Sequence, residues 1–280
     1  MKVSRRQFLF GVAGLAATLP GNATQCRYRV DAALSIFGAS LFTIRSVGGA
    51  AAMVEQREDD SRGTVNLRFA GGSDRQRAHG IVYAGSLEET VSQLRSALSE
   101  ASYFGFVTAS PSEKSDAQQQ FAEMKSRTGC VFVAVEGRHE LGAAHCRRAR
   151  VSLPSTSWAD LDGLCGQVRT LFPAQEATQN GLNYPDAVPG TFLYSAYSAI
   201  RSSQMRFVAP YVHNGHLYRL ETEKSTDARG LIRLNGKIHD ITTKSTSTFR
   251  LWLEPGCDLP VRIEFQARSC LRLILEKEPS

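Results

Sequence analysis

An α+β fold, mainly antiparallel β, in which a curved sheet or incomplete β-barrel packs on two or three helices, is what this sequence predicts. Three features carry the prediction. From Phe249 to Leu275 apolar and polar residues alternate in step over three successive segments, as strands with one buried and one wet face require. Two Asn-Gly pairs, Asn214-Gly215 and Asn235-Gly236, stand between β-prone runs, the pattern of tight hairpins. Short stretches with apolar residues three and four apart supply the helices.

Taken in chain order, the first element is an address. An apolar run from Phe8 to Pro20 follows Lys2, Arg5 and Arg6 and ends in small and polar residues, too short at about 1.5 Å per residue to span a membrane as a lasting anchor. The stretches 27–47, 51–58, 63–70 and 80–85 then read as an opening antiparallel meander. Ser86 and Glu89 have the spacing of a capping box, and Leu87, Val91, Leu94 and Leu98 recur at helical intervals, so a helix is expected over about 87–102. The polar stretch 110–127, with Ala117, Phe121 and Met124, reads as a surface helix or a linker.

Residues 131–145 read as a hairpin reversing at Gly137 to His139. Ser157 is the expected N-cap of a helix running to about Phe172. Three prolines and two glycines in 173–190 predict a long connection and a sub-domain seam, after which Phe192, Leu193, Ala196, Tyr197 and Ile200 mark an amphipathic helix. Pairing Leu253 with Val261 sets Leu251 opposite Ile263 and Phe249 opposite Phe265, with Trp252–Arg262 and Arg250–Glu264 on the other face. A turn at Ala267 to Ser269 would place Leu271, Leu273 and Leu275 beside Phe265, Ile263 and Val261. The domain reading is a signal peptide over 1–23 and one β-rich domain over 24–280, with a helical insertion at about 86–172.

Charge and cysteine content narrow the function. The formal net charge of +6 includes Lys2, Arg5 and Arg6 in the leader, so the mature chain carries only +3, which argues against a nucleic-acid binder. Six cysteines in an exported chain raise disulfides. Cys130 and Cys146, flanking the expected hairpin, are the candidate pair. Cys165 shares a helical stripe with Leu161, Leu164 and Val168 and reads as a buried small hydrophobe.

No catalytic site is expected. "HELGAAH" has its histidines six residues apart, His139 and His145, where the zinc-protease HExxH spacing is four, and neither helix nor strand lets them share an ion. There is no GxSxG and no phosphate-binding loop. His213 and His216 flank Asn214-Gly215 and should face each other, a weak metal candidate set against the simpler reading of exposed turn residues. Arg250, Arg262, Glu264 and Arg272 form a wet face, either an anion-binding surface or a self-paired one. Phe192, Tyr194 and Tyr197 on the helix, with Leu251, Ile263 and Leu273 on the sheet, are the candidate lining of an apolar ligand site, or packing between helix and sheet.

Two resemblances accompany this reading. Arg5 and Arg6, between Ser4 and Gln7-Phe8-Leu9, resemble the twin-arginine export motif, which implies the twin-arginine machinery as a partner and an exported, periplasmic location. The closing "FRLWLEPGCDLPVRIEF", the helix "GTFLYSAYSAIR" and the early "YRVDAALSIFGASLFTI" resemble an exported bacterial family of unknown function, of the DUF3108 type. That family looks like the periplasmic lipoprotein carriers, in which an incomplete barrel curls around helices and holds acyl chains. The implied function is a non-enzymatic envelope protein that binds a lipid, a lipidated envelope component or another apolar ligand. The alternatives are an interaction module without ligand, or an uncharacterised hydrolase. No cofactor, no nucleic-acid partner and no transmembrane anchor after cleavage are expected.

Overall fold

The computed structural model describes residues 22–36, 39–59, 62–74, 83–94, 97–109, 129–140, 142–154, 161–175, 177–183, 190–268 and 271–279. The segment 1–23 read as a signal peptide, apart from Asn22 and Ala23, lies outside these residues, as do the stretch 110–127 and the expected N-cap Ser157.

The fold is mainly antiparallel β, a nearly closed barrel with two helices among the described residues. Its strands are β1 (Asn22–Ile36), β2 (Ala39–Asp59), β3 (Arg62–Ser73), β4 (Ala84–Leu94), β5 (Ala97–Thr108), β6 (Gly129–Glu140) and β7 (Ala143–Pro154). Helix α1 (Leu161–Leu171) and β8 (Ala177–Asn183) follow, then helix α2 (Phe192–Arg201). The chain closes with β9 (Arg206–His213), β10 (His216–Thr226), β11 (Ile232–Asp240), β12 (Thr246–Leu253), β13 (Arg262–Arg268) and β14 (Leu271–Lys277). All fourteen strands form one sheet in the order β8-β7-β6-β5-β4-β3-β2-β1-β14-β13-β12-β11-β10-β9. Every ladder is between chain neighbours except β1–β14, which joins the two ends of the sequence.

The sheet rolls, and β-bulges between Val30 and Ala32, Ser92 and Gln93, and Gln266 and Arg268 add twist as it does so. Alternation along the strands assigns each residue to the inner or outer face. α1 lies on the outer face, where Leu164, Cys165 and Val168 cover Phe104, Phe106, Phe132, Ala149, Val151 and Leu153. α2 lies inside the roll against residues of β1–β4, β10–β12 and β14.

The closing strands keep the predicted register: Phe249↔Phe265, Arg250↔Glu264, Leu251↔Ile263 and Trp252↔Arg262. β14 is offset by two residues from expectation, with Phe265↔Leu273 and Ile263↔Leu275, because the bulge at Gln266/Arg268 takes up chain that a plain three-residue turn would have left. An offset of two preserves the faces. The Asn214-Gly215 turn forms as predicted, with both residues at positive φ and His213 opposite His216.

Several expectations are corrected. The helix expected over 87–102 is the β4–β5 hairpin. Leu87 and Val91 sit at even separation and pair inward with Phe69, Gly105, Val65 and Ala101, which suits a strand as well as a helix. The supposed helical insertion over 86–172 is therefore mostly β4 to β7, with α1 at its end. Asn235-Gly236 makes no turn but lies within β11, where a Cβ on Gly236 would collide with the Phe249 ring facing it. The connection after α1 holds β8, which extends the same sheet by pairing with β7. β6 runs to Glu140 and pairs it with Ala143, so the β6–β7 reversal comes later than expected. Cys130 consequently pairs with Leu153 and Cys146 with Gly137, on opposite faces, so the two sulfurs do not face each other across the hairpin as the expected disulfide requires.

Candidate functional site

The site is the inside of the roll. α2 begins at Thr191, whose extended backbone and side-chain oxygen, accepting from Leu193 N–H at 3.3 Å, make it the N-cap. Gly190 precedes it at φ +136°, where a Cβ would also press on Tyr194. The helix is about 15 Å long. It is buried on most of its circumference: Tyr194, Ser195, Ala196, Tyr197 and Ala199 are all covered.

All six residues expected to line an apolar site come together around this helix. Tyr194 and Tyr197 pack with Tyr28, Val54, Leu67, Val91 and Leu275, against which Ile263 and Leu273 also lie. Phe192 packs with Tyr211, Phe249 and Leu251, its ring edge-on to Phe249 at 5.5 Å. Ile263 touches both groups. The inner wall is thus a continuous apolar surface, and in this conformation α2 side chains cover it.

Polar contacts tie α2 at both ends. Inside the barrel, Glu89 of β4 is 2% exposed and accepts from Thr191 N–H, Thr191 Oγ1–H (2.6 Å) and Tyr194 N–H (2.9 Å). A carboxylate here complements the free N–H groups and positive end of the helix. Burial nevertheless lifts its pKa to about 7, against the pull of those donors. At the other end the Lys224 ammonium donates to the carbonyls of Ile200 (2.9 Å) and Ser202. Arg201 pairs with Asp258 at 3.0 Å, and Gln56 donates to the Tyr197 hydroxyl at 2.6 Å. Burial pushes the Tyr197 phenol up to about 12.

Beside the α2 N-terminus lies a second buried group. The Tyr103 ring of β5 sits over Gly137 of β6, where a Cβ would collide with it. It meets His139 edge-on at 5.1 Å and His213 at 5.2 Å, and its oxygen accepts from Asn214 N–H at 3.1 Å. His139 Nδ1 accepts from Gly190 N–H at 3.4 Å, which leaves the ring proton on Nε2. His139 Nε2, His213 Nδ1, His216 Nδ1 and Asn214 Oδ1 are buried without a hydrogen-bond partner among the described residues. Burial lowers both His139 and His213 to about 4, and the neighbouring His139 and His216 act on His213 in the same direction. His213 was expected to be exposed. It is instead folded under the opposite wall, because the roll brings the β9–β10 turn back to β5 and β6. His145 faces outward, across the sheet from His139. Among the described residues no group of three or more His, Cys, Asp or Glu could hold a metal ion, so His213 and His216 lack the further ligands a metal site needs.

Little in the sequence signals this inner polar group. Glu89 read as part of a capping box at the start of its own helix, yet it caps a helix a hundred residues further on. The one available signal was a carboxylate in an inward strand series, Leu87, Glu89, Val91.

The outer surface offers an open groove of about 630 Å³ lined by Glu88, Glu136, Arg138, His145, Arg147 and Arg169 among others. Its cations are largely engaged: Arg169 with Glu88, Arg138 with Glu100 and Glu140, and Arg147 with the Pro173 and Gln175 carbonyls. On the closing strands Glu264 collects Arg262 at 2.6 Å, Arg250 at 3.8 Å and Arg272 at 3.7 Å. That face is self-paired.

No family model matches this chain. No curated protein matches it either. Among solved structures it is similar to a beta-barrel-like protein of domain of unknown function DUF1849 from Brucella abortus, with 9% identity and a TM-score of 0.42 over 91% of this chain and 98% of that one.

Proposed function

We propose that this chain is an exported, non-enzymatic protein of the bacterial envelope, a twin-arginine passenger that holds an apolar ligand against the inner wall of its barrel. The ligand class is an acyl chain or the lipidated end of an envelope component. One observation carries the reading: a continuous apolar wall, including Leu251, Ile263, Leu273 and Leu275, is covered by one short helix whose tethers at both ends are polar. Polar tethers can be exchanged for water at small net cost, whereas the wall must stay covered by something apolar. An acyl chain lying where Phe192, Tyr194 and Tyr197 now lie would meet that need.

A second reading is an interaction module with no ligand, favoured by how fully α2 fills the roll, with Ala199 and Thr191 at 0% exposure. Native mass spectrometry of protein purified from the periplasm separates the two. A co-purifying acyl lipid is the expected result. An empty protein bound to a stoichiometric protein partner overturns the carrier and supports the module.

A further inference from the structure

The β9–β10 turn contacts the far wall of the barrel through a small set of groups. Asn214 N–H bonds the Tyr103 oxygen, and the His213 ring lies on the Tyr103 ring, whose other neighbour is His139. These contacts bring the β9 end of the sheet back to β5 and β6, ten and eleven strands away in ladder order. We infer that this turn is a proton-released clasp: with His139 and His213 neutral it holds the rolled edge of the sheet, and protonating them detaches it.

The surroundings leave an imidazolium without compensation. From β4, Glu89 is committed to Thr191 and Tyr194. From β5 and β7 the neighbours are the Tyr103 phenol, which burial pushes up and so keeps neutral near pH 7, and the Cys146 side chain. From β9 and β10 they are Tyr211, Tyr218 and His216, and from β11 Asp240, which accepts from Thr242 and Thr243. No carboxylate lies within ion-pair distance of His139 or His213 among the described residues. Two positive charges on either side of one tyrosine ring would also repel each other.

The sign follows from linkage. Both imidazoles sit at about 4 in the clasped protein against an ordinary 6.5. The clasp is at full strength above pH 6.5 and is lost as pH falls through that window towards 4. Glu89 titrates in the opposite sense, and its hydrogen bonds run to Thr191 and Tyr194 of the α2 N-terminus rather than to the turn.

The clasp does not depend on whether the barrel takes a lipid, and its test uses the protein without ligand. Amide hydrogen exchange, corrected for the intrinsic pH dependence, is measured from pH 7.5 to 4.5 over 206–220 and over the β12–β14 strands. Protection at 206–220 is expected to fall tenfold or more while β12–β14 keep theirs, and His213→Phe, which retains the ring contact, is expected to abolish the fall. Should that variant not fold, the imidazole resonances of the natural chain serve instead, their titration midpoints coinciding with release. Protection at 206–220 that persists once the imidazoles are charged, or that is lost together with β12–β14, overturns the clasp.

Discussion

The two helices of this protein solve one problem by different means. α1 lies on the outer face: Leu164 and Val168 are at 0% exposure on a floor of Phe104, Phe132 and Val151, the Arg169 guanidinium rests over the Phe104 ring at 4.3 Å, and the helix's ion pairs, Asp162 with Arg68 at 2.7 Å and Arg169 with Glu88, are partly exposed. α2 lies within the roll and is held by area and by charge, with a buried carboxylate at its start and an ammonium at its end. A helix on the outside can leave its terminal N–H and C=O groups to water. One enclosed by a sheet cannot, and the walls must supply their partners. The comparison teaches that Glu89 and Lys224 are consequences of where α2 sits, and that α2 is the element built to be tethered.

The comparison can be broken by substitution. Leu164→Ala, on the outer helix, should have the largest effect, about 3 kcal/mol by the usual cost of emptying a fully buried leucine, read as a lower midpoint in urea. Glu89→Gln comes next at about 2 kcal/mol, since it keeps the shape but gives up charge-assisted bonds to Thr191 and Tyr194. Thr191→Ala removes the N-cap and one donor to Glu89 and should cost about 1 kcal/mol. Arg201→Ala should fall below about 1 kcal/mol, because its pairing with Asp258 is half exposed. If Glu89→Gln cost nothing, the N-terminus of α2 would be held by area alone.

pH sharpens the same contrast. In the folded chain Glu89 titrates at about 7 against an ordinary 4.5, so the fold gains protons there over that interval. The stability this contributes is present on the acid side and lost as pH rises through 7. His139 and His213 act in the opposite direction between about 4 and 6.5. Urea midpoints between pH 4.5 and 7 should therefore rise more steeply with pH in Glu89→Gln than in the natural chain. An unchanged slope would mean that Glu89 does not titrate in that range.

The closing strands were legible to the register of individual pairs, while β4 and β5 were read as a helix. The difference is physical. In the strands between Phe249 and Leu275 one face is solvated, so polarity alternates along them, Trp252 and Ile274 excepted, and the period is plain. β4 is covered on both faces, by α1 outside and α2 inside: Ser86 is as buried as an apolar residue and Glu89 more so. Leu87 and Val91 four apart then satisfy either period. Glycine misled in a similar way. Asn235-Gly236 has the composition of a turn, but Gly236 and Gly137 are glycines because the rings of Phe249 and Tyr103 lie over them. The six apolar residues of the site were identifiable because they sit on strongly patterned elements. Tyr103 and His139 were not, since their proximity to His213 depends on how far the sheet rolls.

The most direct measurement titrates a fluorescent fatty acid into the natural chain and into Glu89→Gln at pH 7.5, with circular dichroism confirming that both are folded. A helix that must leave its tethers before an acyl chain can enter lowers the apparent affinity by the population of the open form. The account predicts saturable binding in both proteins, at least tenfold tighter in Glu89→Gln, where one end of α2 is loosened. Failure of both proteins to bind, or equal binding with the helix still seated, would contradict it.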